Sequence, residues 1–464
     1  MNSSVSELQL NTKKSKPKLV RSYLLTTLLA IITIISLQLI LAPKANATTY
    51  NVTTSSTCTL FEALEAAATN TGVGTCPAGQ TSPDTINVAA GTYTLTGDLP
   101  AILNDGDLAI VGDNPITTIL NGAGFGGIVL SSGDPNVNYS ISNLTFTGFD
   151  NAGTTGPPVL TTSSGNLTVN NIIAHTNTCT NGLPICSIFA NFAPSGTTNT
   201  INVSNSSFYN NQAGFMVWVT NVNPFLSPVE VGGSVQATFT NNTFSSSVGA
   251  AIAVNNGSDS DSVQVNVLNN TFADATFILP PGTSSAPGGI VMIAPDVPVD
   301  YYPAQINLKN NIFSNNLASG NPINCQITIP PNGGTFTSQG GNVSSDNTCS
   351  SYFTNTNDKN NTDSQLQALV QDNNTFVRPI GNTSPAYNNA IANGAPTTDQ
   401  RGVARPQNGA YDSGAYEYVG PAPSGGSGGA TLPSTGWDTK LPALIAGLLL
   451  FSGIMITGYS IKRR

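Results

Sequence analysis

The 464-residue sequence predicts an all-β chain wound as a right-handed parallel β-helix, with a short N-terminal capping helix. Three observations carry this reading. The chain holds 45 Gly, 30 Pro and only 8% charged residues and is rich in Asn, Thr and Ser, a composition of short strands and turns. Six segments, "ISNLTF", "VNNIIA", "VSNSSF", "FTNNTF", "VLNNTF" and "LKNNIF", repeat one pattern: an apolar residue, Asn two positions on, and an apolar residue three beyond that. Before each Asn runs a short alternating stretch, as in "NTINVSN" and "VQVNVLN", which presents every second side chain to one face.

The repeated asparagines are Asn143, Asn171, Asn205, Asn241, Asn269 and Asn310, separated by 28, 34, 36, 28 and 41 residues. A strand of four or five residues cannot bury a face alone. Stacking successive coils in register buries it continuously and pairs every backbone edge with the coil above and below. Asn suits the corner because it tolerates the left-handed backbone, and its amide can bond the equivalent residue of the next coil in a ladder inside the stack. Phe146, Phe208, Phe244, Phe272 and Phe313 recur three residues after the Asn, which argues against an accident of composition.

A solenoid leaves an open apolar end. The stretch "CTLFEALEAAATN" predicts an amphipathic helix to cover it, with Leu60, Phe61, Leu64 and Ala68 near one face and Thr59 and Glu62 at capping-box spacing. The segment that follows, from "DTINVAAGTYTLTG" to "ILNGAG", alternates short strands with Gly and Asp turns, as first coils should.

Both termini differ from this body. Lys13, Lys14, Lys16, Lys18 and Arg21 precede an apolar run from Tyr23 to Leu41, and Ala45-Asn46-Ala47 offers small residues at cleavage spacing, so residues 1–47 read as an export signal cut after Ala47. An uncleaved signal anchor is the alternative. At the far end the Gly/Ser/Pro linker 419–431 leads to Leu432-Pro433-Ser434-Thr435-Gly436. An apolar stretch from about Leu441 to Ile461 follows, then Lys462, Arg463 and Arg464.

Export accords with six cysteines, whose sequence-local pairings are Cys58 with Cys76, Cys179 with Cys186 and Cys325 with Cys349, among fifteen possible connectivities. No pair has CxxC spacing and His175 is the sole histidine, so no Cys/His metal site is expected, and the sequence calls for no cofactor. Between the two termini five cations stand against 22 acids, a net charge of −17, which repels nucleic acid and anionic lipid.

Several of these stretches resemble known families. "CTLFEALEAAATN", "DTINVAAGTYTLT", "LPAIL", "LAIVGD" and "ILNGAG" resemble the CSLREA-type N-terminal segment of secreted bacterial β-helix proteins with the pectin-lyase-like superfold, with Phe61 where the name-giving stretch has Arg. "GGNVSSDNTC", "GNTSPAYNNA" and "TDQRGVARPQNGAYDSGAYEY" resemble the choice-of-anchor Q segment. Residues 432–436 match the LPxTG motif of sortase substrates. That resemblance implies cleavage between Thr435 and Gly436 and transfer of the Thr435 carboxyl to a cell-wall peptide amine. The organisation expected is a signal peptide at 1–47, a parallel β-helix at 48–352, a choice-of-anchor Q-like segment at 353–418 closing the solenoid, the linker at 419–431 and the sorting signal at 432–464.

The function these features imply is a non-catalytic, peptidoglycan-anchored surface protein, held in the membrane before sorting and engaged in adhesion to a glycan or to a host or partner-cell surface. Its processing partners would be a sortase and cell-wall peptidoglycan. The alternative is a displayed polysaccharide-active enzyme, a lyase or a glycoside hydrolase. Against a lyase, no Lys or Arg lies between Lys44 and Lys309 to hold an acidic glycan. For a hydrolase the nearest carboxylate pairs are Asp259 with Asp261 and Asp296 with Asp300, of which the first can equally be read as a weak Ca²⁺ loop. Trp218, Tyr301 and Tyr302 are candidate sugar-stacking aromatics, although packing of a large aromatic in the core or a loop is the reading to prefer; alternation sets Trp218 opposite Phe215, Val217 and Val219, hence outside if that set faces the core. Asp399, Arg401, Arg405, Asp412 and Glu417 gather near the end of the body as an expected ion-pair cluster closing the last coil, or as a pocket.

Overall fold

The structure, a computed structural model, describes residues 47–79, 83–103, 106–150, 159–179, 187–223, 230–258, 260–277, 290–292, 304–327 and 334–420. It is mostly sheet, with one helix among the described residues. The alternating stretches become strands of a first sheet, ten in number from Thr49–Val52 to Thr335–Ser338. Each is followed by a strand of a second sheet, from Gly91–Thr94 to Val343–Ser344, except the first. A third sheet includes Ile128–Leu130, Leu160–Thr162, Ser187–Phe192, Gln212–Thr220 and Val248–Asn255. The chain passes through the three sheets in rotation and lays each new strand parallel to that of the previous pass.

Register follows the apolar period. Ile141, Val169, Val203, Phe239, Val267 and Leu308 form one column of paired residues, all buried. A slip of one residue would turn that column outward, so burial itself fixes the pairing.

From Asn138–Ser142 to Ala304–Lys309, two residues link each first-sheet strand to its second-sheet strand. The first of them is Asn143, Asn171, Asn205, Asn241, Asn269 or Asn310, every one at a positive φ between 52° and 59°. That left-handed residue makes the bend, and Asn accepts it at low steric cost.

Their amides do not run in one unbroken ladder. Asn171 donates to the Asn143 side chain at 2.8 Å, Asn241 to Asn205 at 3.4 Å and Asn310 to Asn269 at 3.2 Å. Asn205 reaches Asn170 instead, at 2.9 Å, and Asn269 donates to the carbonyls of Asp412 and Gly414.

The continuous interior ladder belongs to the next residue. Asn242, Asn270, Asn311 and Asn342 are buried, and each amide donates to the following one at 2.9, 3.3 and 3.0 Å. The same carbonyl oxygens of Asn270, Asn311 and Asn342 accept the backbone N–H of the preceding Asn at 2.9 Å. Each of the four amides also donates to a main-chain carbonyl, from Val203, Phe239, Val267 and Leu308. Bent corners leave polar backbone groups without sheet partners, and these side chains satisfy them where no water reaches. The signal was the second letter of "NN" in three of the repeats. The αL residue shifts which side chain faces inward by one.

Beneath the second sheet the phenylalanines stack. Phe208 and Phe244 lie 4.8 Å apart between ring centroids, Phe244 and Phe272 5.2 Å, and Phe272 and Phe313 4.8 Å, all nearly parallel. Ala174 takes the Phe place in one pass, and Phe189 from the third sheet fills the gap, edge-on to Phe146 at 6.4 Å and to Phe208 at 5.3 Å. A small residue opposite a large one preserves interior density.

The helix α1, Leu60–Thr69, begins at Thr59, whose hydroxyl accepts from the Glu62 N–H while the Glu62 carboxylate accepts from the Thr59 N–H. Leu60, Ala63, Leu64 and Ala67 are buried on one stripe. Phe61, expected near that face, is 45% exposed and Ala68 only half-buried, because position 61 is turned about 100° from Leu60 on a helix. At the other end Phe353 packs on Phe313 at 5.7 Å, in a loop held by a Cys325–Cys349 disulfide.

The third sheet decides between the two readings of Trp218 in favour of packing. Met216 and Val217 both join the main core, while Phe215 and Trp218 on either side join a second cluster with Ala190, Phe192, Ala250 and Ala253. Trp218 is 0% exposed, and its indole N–H donates to Asn255 at 2.8 Å. The apolar run "AGFMVWV" is a strand buried on both faces, where simple alternation no longer separates inside from outside. Trp218 is therefore no surface contact.

Candidate functional site

The residues singled out in the sequence fall into separate places. Leu432, Pro433, Ser434, Thr435, Gly436, the span from Leu441, Ala45, Cys186, Asp259, Asp296, Asp300, Tyr301 and Tyr302 lie outside the described residues. Ala47 is exposed, two residues before the first strand. Cys58 is bonded to Cys76, and Cys179 is also in a disulfide. Asp261 accepts from the hydroxyls of Ser258 at 2.8 Å and Ser260 at 3.3 Å. Among the described residues no three of His, Cys, Asp and Glu stand together as a metal site, and no helix is long and apolar enough to cross a membrane.

The cluster near the end of the body is brought together. Arg405, with a fully buried side chain, donates to Glu417 and to the Asp412 and Gly414 carbonyls, each at 2.8 Å. Arg401 pairs with Asp399 and Asp372 at 2.7 Å and lies 3.6 Å over the Tyr416 ring. Asp399 also accepts the Arg401, Val403 and Glu417 N–H groups, and Glu417 those of Gln407 and Asp412. Arg378 pairs with Asp274. These carboxylates spend their lone pairs on internal donors, the arrangement that lets buried charge persist.

This segment does not stop at the last pass. Phe376 packs with Tyr209 and Ile173, and Ile380 and Ala386 with Ile312 and Val343, on the outer side of the second sheet. The corner asparagines grip it: Asn241 donates to the Thr398 carbonyl at 2.8 Å, Asn269 to Asp412 at 3.1 Å and Asn310 to Ile391 at 3.0 Å. Gln400 reaches Ser207, Thr243 and Thr375. Gly414, at φ 88°, comes so close that a Cβ would lie 2.6 Å from Ile312 and 2.8 Å from Thr271. The asparagines chosen as an interior ladder thus serve in three passes as docking points, which only the long-range contacts reveal.

Two titratable groups sit at this junction. His175 stacks on Tyr209 at 5.0 Å, and burial pulls its imidazole from the ordinary 6.5 down to about 4. Burial pushes the Asp412 carboxyl from 3.8 up to about 6, against the pull of the Asn388 and Tyr418 amides. The histidine's contribution is complete above about 6.5 and is lost as pH falls toward 4, because the unfolded chain takes the proton first. Asp412 acts oppositely, its contribution being lost as pH rises from about 4 to about 6. His175→Gln isolates the first effect. The stability of the unaltered chain relative to this variant is expected to shrink by about 2 kcal/mol between pH 7 and pH 4.5. A denaturant series at both pH values in which the difference stays constant would refute it.

One further concavity was not signalled by any motif. A cleft of about 570 Å³ lies at the N-terminal end between residues 53–61 and 92–97, lined by threonines with Leu60, Phe61, Tyr93 and Leu95. Comparison of the chain with protein-family models, with curated proteins and with solved structures returns no match.

Proposed function

We propose that the chain is an exported bacterial surface protein, joined to peptidoglycan by a sortase at Thr435 and displaying a right-handed parallel β-helix for adhesion or another surface contact. The observation that carries this is the ordered set at residues 419–464: uncharged linker, Leu432-Pro433-Ser434-Thr435-Gly436, apolar run and basic tail. A linker presents the pentapeptide, the apolar run holds it at the membrane and the cations stop translocation. The body supports the reading. Rotation through three parallel sheets is the course of a β-helix, and right-handed crossovers are the rule for parallel strands. Disulfides suit an oxidising exterior. Ala47, beside the proposed export-signal cleavage point, is exposed, and so is Val419 at the start of the linker, 51%.

Two tests follow. Thr435→Ala is expected to move the protein from the wall fraction to the membrane and medium; an unchanged wall fraction would refute anchoring. Cells displaying the intact chain should be retained on a glycan or host-surface array, and cells expressing Thr435→Ala should not. Equal retention of both would remove the adhesive role.

A further inference from the structure

The first two sheets begin at different levels. In the first sheet Thr49–Val52 lies beside Asp84–Val88, whereas among the described residues no strand lies outside Gly91–Thr94, the first of the second sheet. In the later passes a first-sheet strand turns a corner directly into a second-sheet strand. After Val52 the chain diverts instead through Cys58, bonded to Cys76, into α1. The strand position thereby left over is where the 570 Å³ cleft lies.

Its walls have the chemistry of a strand site. Gly91 and Leu95 donate their N–H groups inward, to the Thr117 and Asn121 carbonyls. The alternate backbone groups of Thr92 and Thr94 consequently face the cleft, spaced roughly 6.6 Å apart as in any strand. Tyr93 and Leu95 pack against the core yet remain only half-buried, and Phe61 is exposed at the rim. Among the described residues no charged side chain lines the cleft, in a body of net charge −17 that repels acidic partners.

We propose that this position receives an extended, uncharged peptide segment of a partner protein, added as the missing outer strand of the second sheet. Its backbone pairs with Thr92 and Thr94, and one apolar side chain covers Tyr93 and Leu95. An edge with matched N–H and C=O groups at strand spacing is satisfied by another backbone. A sugar ring offers hydroxyls at other intervals. The proposal is independent of anchoring at Thr435.

A labelled peptide of sequence NLTFTG, copied from residues 143–148, supplies the chemistry of an occupied layer and serves as the probe. Fluorescence anisotropy with the full chain in detergent is expected to show saturable binding. Thr94→Pro, which removes an outward amide but no inner pairing, should weaken it at least tenfold, as should N-methylation of alternate peptide amides against the unaltered protein. The second arm decides the matter if the proline variant misfolds. Absence of saturable binding, equal affinity of the N-methylated peptide, or binding of maltohexaose in place of the peptide would overturn the proposal.

Discussion

Arg405→Leu is expected to destabilise the chain by about 3–5 kcal/mol, read as a shift in a urea unfolding curve. The substitution leaves Glu417 charged and buried and strips donors from the Asp412 and Gly414 carbonyls. Both carbonyls also receive Asn269, and Gly414 lies against Ile312 and Thr271, so the loss loosens docking across several passes. Adding Glu417→Leu should recover part of the stability, since a buried ion pair can be exchanged for apolar packing more cheaply than half of it can be removed. A shift below about 1 kcal/mol for the single variant would show that the segment is held by its apolar contacts alone.

Phe272→Ala is expected to cost about 3–5 kcal/mol. Phe272 is buried in mid-stack, with Phe244 at 5.2 Å and Phe313 at 4.8 Å, and its neighbours along the chain are fixed by sheet pairing on both sides. Collapse into the cavity is therefore limited. Phe146→Ala should cost less, because there Phe189 approaches from the third sheet and can shift toward the space. Equal losses in the two variants would mean that the stack relaxes as freely in the middle as near Ala174.

Much of the fold was legible because its determinants are local. Alternation before each Asn states which side chains of the first-sheet strands face inward, and those residues are the buried ones. The capping box at Thr59 and Glu62 is likewise a contact three residues apart. Where Phe61 went astray, the helical stripe was narrower than the apolar run that suggested it. Alternation alone does not place Trp218, for a related reason: once a strand is apolar on both faces, period two carries no direction.

The sequence by itself determined the bend, the repeat and the inward column, since a left-handed Asn followed by a strand with every second residue apolar has one way to bury its surface. The two proposed processing signals rest equally on sequence, since short peptides of that kind are read by other enzymes. Tertiary structure decided what lies on the outside of the second sheet. Asn241 meets Thr398 across 157 residues and Gln400 meets Ser207 across 193, and no spacing rule reaches so far. Asn serves equally well as a bend, a ladder rung or a docking point, because its amide carries both donor and acceptor. Which role each one takes depends on what the rest of the chain brings beside it.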